Sequence, residues 1–333
     1  MSTVPPFASA ILLSYNCADQ IVAAVRSVLD QQCEPMEIII SDDASQDSTF
    51  AVLQREVAAY HGLHRIRLRR RETNSGSKSA HLNDVFPLAS GQFLVSFDGD
   101  DIAEPHRVRR ILEVIRSNPR VSAVFSDYAY MDSEGRAGRR RGVDHPLPGV
   151  DARHWFARVD AYAPGATLAI RRDVVETFDP LDPAINEDVV LPFRASLLGD
   201  VRYIDEALAR VRRWEGSLTS DPERLRSLET LRSWLLQGVA QARLQMDSRL
   251  ADLGRAEELG VIQTADLDDL RATVAASMAA AEASACLASS SLPTRLRCLA
   301  RLTWASDHWR DFPQNAFLTL APGLYLKYKR RRR

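Results

Sequence analysis

The sequence is poor in the features that would place it quickly in several classes. Only four of its 333 residues are cysteine (Cys17, Cys33, Cys286 and Cys298), with no CxxC pair and no metal-ligand spacing. That usage excludes a disulfide scaffold and points to a reduced, cytosolic chain. No apolar run reaches the ~18–20 residues that a membrane span requires. The nearest approach, residues 272–292, is rich in Ala and Ser and carries Glu282. A basic segment of the kind that opens a signal peptide is missing, because the first Lys or Arg is Arg26, and the protein is expected to stay where it is made. No internal repeat is visible. Excess charge of one sign is also lacking, since 43 Lys and Arg against 44 Asp and Glu leave a formal net charge of −1. What remains, 45% hydrophobic and 26% charged residues, is an ordinary globular composition and excludes global disorder and collagen.

The near-zero charge hides a split. From Thr294 onward ten Lys and Arg stand against two Asp, a balance of +8, so the rest of the chain carries −9. A mildly acidic body argues against a nucleic-acid coat, and a basic tail suggests a partner of its own.

The first half alternates strand-like and helix-like segments. Residues 9–14 (SAILLS), 37–41 (EIIIS), 65–68, 92–97 (QFLVSF) and 121–126 read as strands. Helical patterns fill residues 19–31, 45–60, 79–88 and 105–117 between them. Continuously apolar strands at this spacing imply parallel βαβ units covered on both faces. In such sheets ligands bind beyond the carboxyl ends of the strands. Residues 132–151, rich in Gly, Pro and Arg, read as a long mobile loop. A further apolar segment (166–170), a helix (189–198) and short strands at 201–204 and 207–211 follow. After residue 220 the pattern becomes Leu/Ala/Arg-rich and helical, so two regions are expected, 1–220 and 221–333, with helices at 225–259 and 265–287.

Three acidic clusters carry the chemistry. Asp98, Asp100 and Asp101 follow the fourth strand in FDGDD. Three carboxylates this close repel one another unless a cation neutralises them, and their oxygens suit Mg²⁺ or Mn²⁺ shared with substrate phosphates. Alternatively they form a solvated turn before the next helix. Asp42 and Asp43 lie in SDDAS after the second strand, where one could accept a hydrogen bond from a nucleobase, or Asp43 could cap a helix. Asn186, Glu187 and Asp188 open a helix. A carboxylate there could act as general base towards a hydroxyl or simply complement the helix dipole.

Taken in order, these stretches resemble a known family. LLSYN (12–16), SDDAS (41–45), NSG (74–76), ASGQFLVSFDGDD (89–101), NEDVVLPFR (186–194) and RRWEGS (212–217) are similar to the landmarks of the family 2 glycosyltransferases. The resemblance covers about residues 7–217. It implies the GT-A fold, an α/β architecture with a Rossmann-like mixed sheet and helices on both faces, followed here by an α-helical C-terminal extension. It also implies an inverting transfer of a sugar from a nucleotide-diphosphate sugar, with a UDP-sugar favoured, to a hydroxyl of a glycan or lipid-linked acceptor. The activity would be of the hexosyl- or N-acetylhexosaminyl-transferase class, serving bacterial surface polysaccharide or glycoconjugate synthesis.

By the same resemblance Asp43 would contact the base with Asp42 beside it. Asp98, Asp100 and Asp101 would supply the DXD function, holding a divalent cation, Mn²⁺ or Mg²⁺, on the diphosphate. Asp188 would deprotonate the acceptor, next to Glu187 on the donor side. Two positions depart from the pattern. Trp214 stands where many relatives carry His, and Leu82 precedes Asn83 where Arg is common; Lys78 is a substitute for that missing charge. Rival readings are a non-catalytic nucleotide-binding scaffold and a metal-dependent nucleotidyltransferase or phosphohydrolase. His81, His106 and His145 show no metal spacing and read as surface residues, and Cys17 and Cys33 as packing residues.

The tail interleaves Leu296, Leu299, Leu302, Trp304 and Trp309 with Arg295, Arg297, Arg301 and Arg310, and ends in Arg330, Arg331, Arg332 and Arg333. Apolar anchors beside a basic cluster suit an interfacial helix on an anionic membrane, so residues 295–333 are expected to touch the inner face of the cytoplasmic membrane. A core helix followed by a solvated charge run is the alternative. No nucleic-acid motif is present.

Overall fold

In the computed structural model, which describes residues 6–132, 134–146, 151–212, 228–286 and 293, the apolar runs SAILLS and EIIIS become fully buried strands. Every residue of β1 (Ala8–Ser14) and β2 (Glu37–Asp42) is buried. Ile38, Ile39 and Ile40 are each 0% exposed, and burying such a side chain contributes about 1.5–3 kcal/mol. Between these strands α1 (Ile21–Leu29) turns Ile21, Ala24, Val25, Val28 and Leu29 inward, a single stripe at helical spacing.

The chain continues as α2 (Thr49–Ala58), β3 (Arg65–Arg70), α3 (Lys78–Val85), β4 (Phe93–Asp98), β5 (Ile102–Ala103), α4 (Arg107–Ser117) and β6 (Val121–Met131). It then forms β7 (Ala137–Arg140), α5 (Ala152–Ala157), β8 (Ala169–Arg171), α6 (Asp173–Glu176), α7 (Glu187–Leu198) and β9 (Asp200–Arg212). Among the described residues the strands make one nine-stranded sheet in the order β3-β2-β1-β4-β8-β6-β9-β5, with β7 paired to β6. β3, β2, β1 and β4 run parallel, as apolar βαβ units should. β8 then inserts antiparallel between β4 and β6, which makes the sheet mixed and splits it into two parallel sets, the second being β6 with β9.

Two local readings change. Part of the stretch expected as a mobile loop is β7, an antiparallel partner of β6. The two short strands expected after residue 200 are one strand, β9, whose register with β6 shifts near Ser126 and Asp127.

The described residues fall into two units, one of residues 6–156 and 162–212, the other of residues 157–161 and the helices beyond 228. In the second unit α8 (Leu228–Glu258) and α9 (Thr264–Cys286) bury Leu253, Ala256, Leu267, Leu270, Val274 and Met278. Arg249 is 2% exposed there and donates to the carbonyls of Gln245 at 3.3 Å and Arg158 at 3.0 Å. Among the described residues no helix is long and apolar enough to cross a membrane. Trp214 and the basic tail lie outside the described residues.

Candidate functional site

Parallel pairing brings the carboxyl ends of β1, β2 and β4 side by side, with Ser14 opposite Asp42 and Leu13 opposite Asp98 in register. Both chain turns that leave this edge are left-handed at one residue, Asn16 at φ 46° and Ala44 at φ 59°. Asn tolerates that conformation; Ala does so at a cost of about 1–2 kcal/mol. The twist at Ala44 sits between two acids with separate tasks. Asp42 is wholly buried and accepts from the Ser45 amide at 3.0 Å, the Ser45 hydroxyl and the Ser14 hydroxyl at 3.3 Å. Arg70 approaches it at 3.4 Å. Asp43 accepts from the Ser75 amide at 2.9 Å, the Ser75 hydroxyl at 2.6 Å and Asn74 Nδ2 at 3.1 Å, and pairs with Arg71 at 3.1 Å. Asp42 thus fixes its own turn, while Asp43 fastens the 74–76 segment to the sheet.

That segment leads into α3. Ser77 is extended and its hydroxyl accepts from the Ala80 amide at 3.2 Å, an N-cap. Lys78 is therefore the first helical residue, where the dipole disfavours a cation. Its ammonium is held by Asp98 at 2.6 Å and Glu187 at 2.8 Å. Burial would lower its pKa, but Asp98 and Glu187 outweigh it and hold the lysine above its ordinary range. Two further links lock α3 against the chain before α7. Ser79 donates to the Ile185 carbonyl, and Asn83 exchanges hydrogen bonds with Leu181 at 2.8 and 2.9 Å. Gly165 completes the arrangement by its lack of a side chain. A Cβ there would collide with Glu187 Oε1 and come 3.1 Å from Lys78 Nζ.

Asp188 follows Glu187 in the first turn of α7. Its carbonyl accepts from the Ala163 amide at 2.9 Å, whereas its carboxylate Oδ1 is buried with no hydrogen-bond partner among the described residues. Burial first, then the neighbouring Glu187, push this carboxyl up to about 7, against the pull of Lys78.

The DGDD turn continues from Asp98. Gly99 is required by close approach, since a Cβ would come 2.9 Å from the Leu13 carbonyl and 3.1 Å from Cys17 Sγ. Asp101 accepts from the Arg212 amide at 2.9 Å, and Arg212 Nε donates to the Asp100 carbonyl at 3.0 Å. Burial and Asp98 raise Asp100, and burial with Asp100 and Asp98 raises Asp101 further. Behind the turn lies Arg107, 1% exposed, its guanidinium 4.4 Å from the Phe97 ring centroid and its Nε and Nη2 without hydrogen bonds among the described residues.

Neither Arg107 nor Arg212 is assigned a task by the sequence, although Arg212 lies inside the RRWEGS stretch. His81, expected at the surface, is buried and 2.7 Å from the Ser41 hydroxyl; burial pushes its pKa down to about 4, so it packs as a neutral ring. Cys17 and Cys33 behave as packing residues, their thiols pushed up to about 12 and about 11 by burial.

The structure therefore brings Lys78, Asp98, Asp100, Asp101, Glu187 and Asp188 into one site, and holds Asp42 and Asp43 in the adjoining turn. Among the described residues, no group of three or more Asp, Glu, His or Cys side chains converges as a ready metal cage. Clustered hard carboxylate donors, whose like charge Lys78 offsets only in part, nevertheless fit a Mg²⁺ or Mn²⁺ ion held by one or two carboxylates and by substrate phosphates.

Comparison with known proteins bears on the family and the fold. The family model described as glycosyl transferase family 2 matches residues 9–178. Chondroitin synthase of Escherichia coli is 32% identical over 130 residues, 39% of this chain and 18% of that protein. The aligned parts span between 18% and 64% of the curated relatives' own lengths. Among solved structures, S. aureus TarS 1–349 in complex with UDP-GlcNAc superposes with a TM-score of 0.53 at 15% identity, covering 94% of this chain and 90% of that one. The mannosyltransferase PcManGT from Pyrobaculum calidifontis, in complex with GDP-Man and Mn²⁺, superposes with a TM-score of 0.51 at 17% identity over 98% of this chain and 87% of that one. At these identities the likeness is one of fold.

Proposed function

The chain belongs to glycosyl transferase family 2, and from that premise we propose that it transfers a hexosyl or N-acetylhexosaminyl group, with inversion, from a nucleotide-diphosphate sugar to an acceptor hydroxyl during polysaccharide or glycoconjugate synthesis. The observation that carries the proposal is Asp188. It is a carboxylate with a buried oxygen that has no hydrogen-bond partner among the described residues and a pKa raised to about 7, beside the acids that Lys78 bridges. A general base works best when its pKa lies near the operating pH.

In the proposed step Asp188 takes the proton of the acceptor hydroxyl as its oxygen attacks the anomeric carbon. The new C–O bond forms as the bond from that carbon to the diphosphate oxygen breaks, and the electron pair leaves on the nucleoside diphosphate. Lys78 adds positive charge on the leaving-group side. Asp43 would exchange its contacts with Ser75 and Asn74 for the nucleobase. Asp98, Asp100 and Asp101 would hold a divalent cation together with the donor's own diphosphate, Asp101 using the oxygen that does not accept from the Arg212 amide. That cation would supply charge neutralisation at the leaving group. Support for such an ion and for a nucleotide-sugar comes from PcManGT with GDP-Man and Mn²⁺ and from TarS with UDP-GlcNAc. Positioning is the protein's main contribution.

A UDP-sugar is the favoured donor and a glycan or lipid-linked molecule the acceptor. Peripheral contact of residues 295–333 with the inner face of the cytoplasmic membrane rests on their sequence alone. The test is thermal stabilisation by a panel of nucleotide-sugars with and without Mn²⁺, since a ligand of the native state raises Tm by mass action. A rise of several degrees with one nucleotide-sugar, enhanced by Mn²⁺, is expected. No response to any member of the panel would overturn the proposal.

A further inference from the structure

The hairpin of β6 and β7 presents different chemistry on its two faces. Residues directly opposite on antiparallel strands point to the same side. Arg140 lies opposite Ala129, and its guanidinium is consumed by Asp127 and Asp205. Arg141, one residue on, donates its amide to the Tyr128 carbonyl at 2.8 Å and so faces the other side with Tyr128. The Tyr128 and Tyr130 rings stand edge to face there, 5.4 Å apart.

Several observations relate this face to Asp188. Tyr162, Tyr130, Tyr128 and Asp144 lie within electrostatic range of the Arg141 guanidinium, as Asp188 does of Tyr162. Tyr162 immediately precedes Ala163, whose amide donates to the Asp188 carbonyl. The backbone around Arg141 is fixed, because buried Asp127 accepts from the amides of Gly142 at 3.1 Å and Val143 at 3.2 Å. Its side chain is exposed, and among the described residues it makes no ion pair, whereas Arg136, Arg140 and Arg158 each hold a carboxylate.

A guanidinium on a fixed backbone, without a salt bridge among the described residues and with only the more distant charge of Asp144 facing it, has a specific use beside Tyr130 and Tyr162. Phenol faces suit the C–H surface of a sugar ring, and a guanidinium pairs with carboxylate or phosphate in a bidentate fork. An acid-rich site would repel a negatively charged acceptor, and Arg141 offsets that repulsion at the acceptor's own position. We infer that the face carrying Arg141 and Tyr130, together with Tyr162 and backed by buried Tyr128, is the acceptor subsite, and that Arg141 selects an acceptor bearing a carboxylate or phosphate near the reacting hydroxyl. This rests on the reading of Asp188 as the base.

The test uses the full chain saturated with the stabilising nucleotide-sugar and Mn²⁺. Binding of p-nitrophenyl β-D-glucuronide is compared with that of p-nitrophenyl β-D-glucoside, and glycerol 3-phosphate with glycerol, in wild type, Arg141→Lys and Arg141→Ala. One charged hydrogen bond contributes enough for about a tenfold preference. Wild type is expected to favour one anionic member at least tenfold, the carboxylate pair and the phosphate pair telling a uronate from a phosphodiester acceptor. Arg141→Ala should abolish the preference and Arg141→Lys retain part of it, with donor affinity unchanged in both. Equal binding of charged and neutral probes by wild type, or an intact preference in Arg141→Ala, would overturn the inference. Loss of nucleotide-sugar binding in wild type would instead remove the reading on which it rests.

Discussion

Asp188→Asn should separate stability from activity in a way that is readable without substrate. In the folded chain the carboxyl is pushed from 3.8 to about 7. Each pH unit is worth about 1.4 kcal/mol, so keeping Asp188 ionised in the native state costs about 4 kcal/mol at most. The sign follows from proton counting. Between about pH 4 and pH 7 the native state holds a proton that the unfolded chain has released, so wild-type stability falls as pH rises through that interval. Asparagine does not titrate and escapes the loss. Urea unfolding of both proteins, without donor, at pH 5 and pH 8 should show the variant gaining about 3 kcal/mol on wild type between the two. A difference that stays constant with pH would refute the picture of a buried, proton-holding Asp188, and with it the argument for its use as a base.

Other perturbations probe the neighbouring contacts. Lys78→Met leaves Asp98 and Glu187 without their shared cation. It should destabilise the fold by about 1–3 kcal/mol; unchanged stability, measured by denaturant titration, would contradict the ion-pair account. Gly165→Ala places a methyl group against the Glu187 carboxylate. About 1–3 kcal/mol of destabilisation is expected with weaker nucleotide-sugar binding by calorimetry, and a silent substitution would show that the contact yields freely. Ala44→Gly relieves the left-handed strain at φ 59° and should stabilise by up to about 1 kcal/mol; a loss of stability would mean that the Ala44 side chain is needed at the turn.

Much of this site was legible in the residues. The runs SAILLS and EIIIS announce strands buried on both faces, and acids after such strands mark the ligand-binding edge. Lys78 reads as a substitute cation for the Arg that is missing before Asn83. What local pattern could not supply was pairing. β8 is only three residues long, so nothing in its sequence declares that it enters antiparallel and divides the sheet. Asp42 and Asp43 look alike in sequence, yet Ser14, Ser45 and Arg70 absorb one while Ser75, Asn74 and Arg71 take the other. The same blindness to distant partners hid Arg212 beneath the DGDD turn, Arg107 behind it, and the burial of His81 against Ser41. Each of these contacts joins segments far apart in the chain, where periodicity carries no information.

Transfer itself is the decisive measurement. The nucleotide-sugar that stabilises the protein is mixed with candidate acceptors, and glycosylated product is followed by mass spectrometry for wild type and for Asp188→Asn. Wild type is expected to glycosylate an acceptor, while the variant binds the donor equally well and forms product at least about 100-fold more slowly. Equal rates in the two proteins, or donor turnover by wild type that ends only in hydrolysis, would contradict the assignment of this site to sugar transfer.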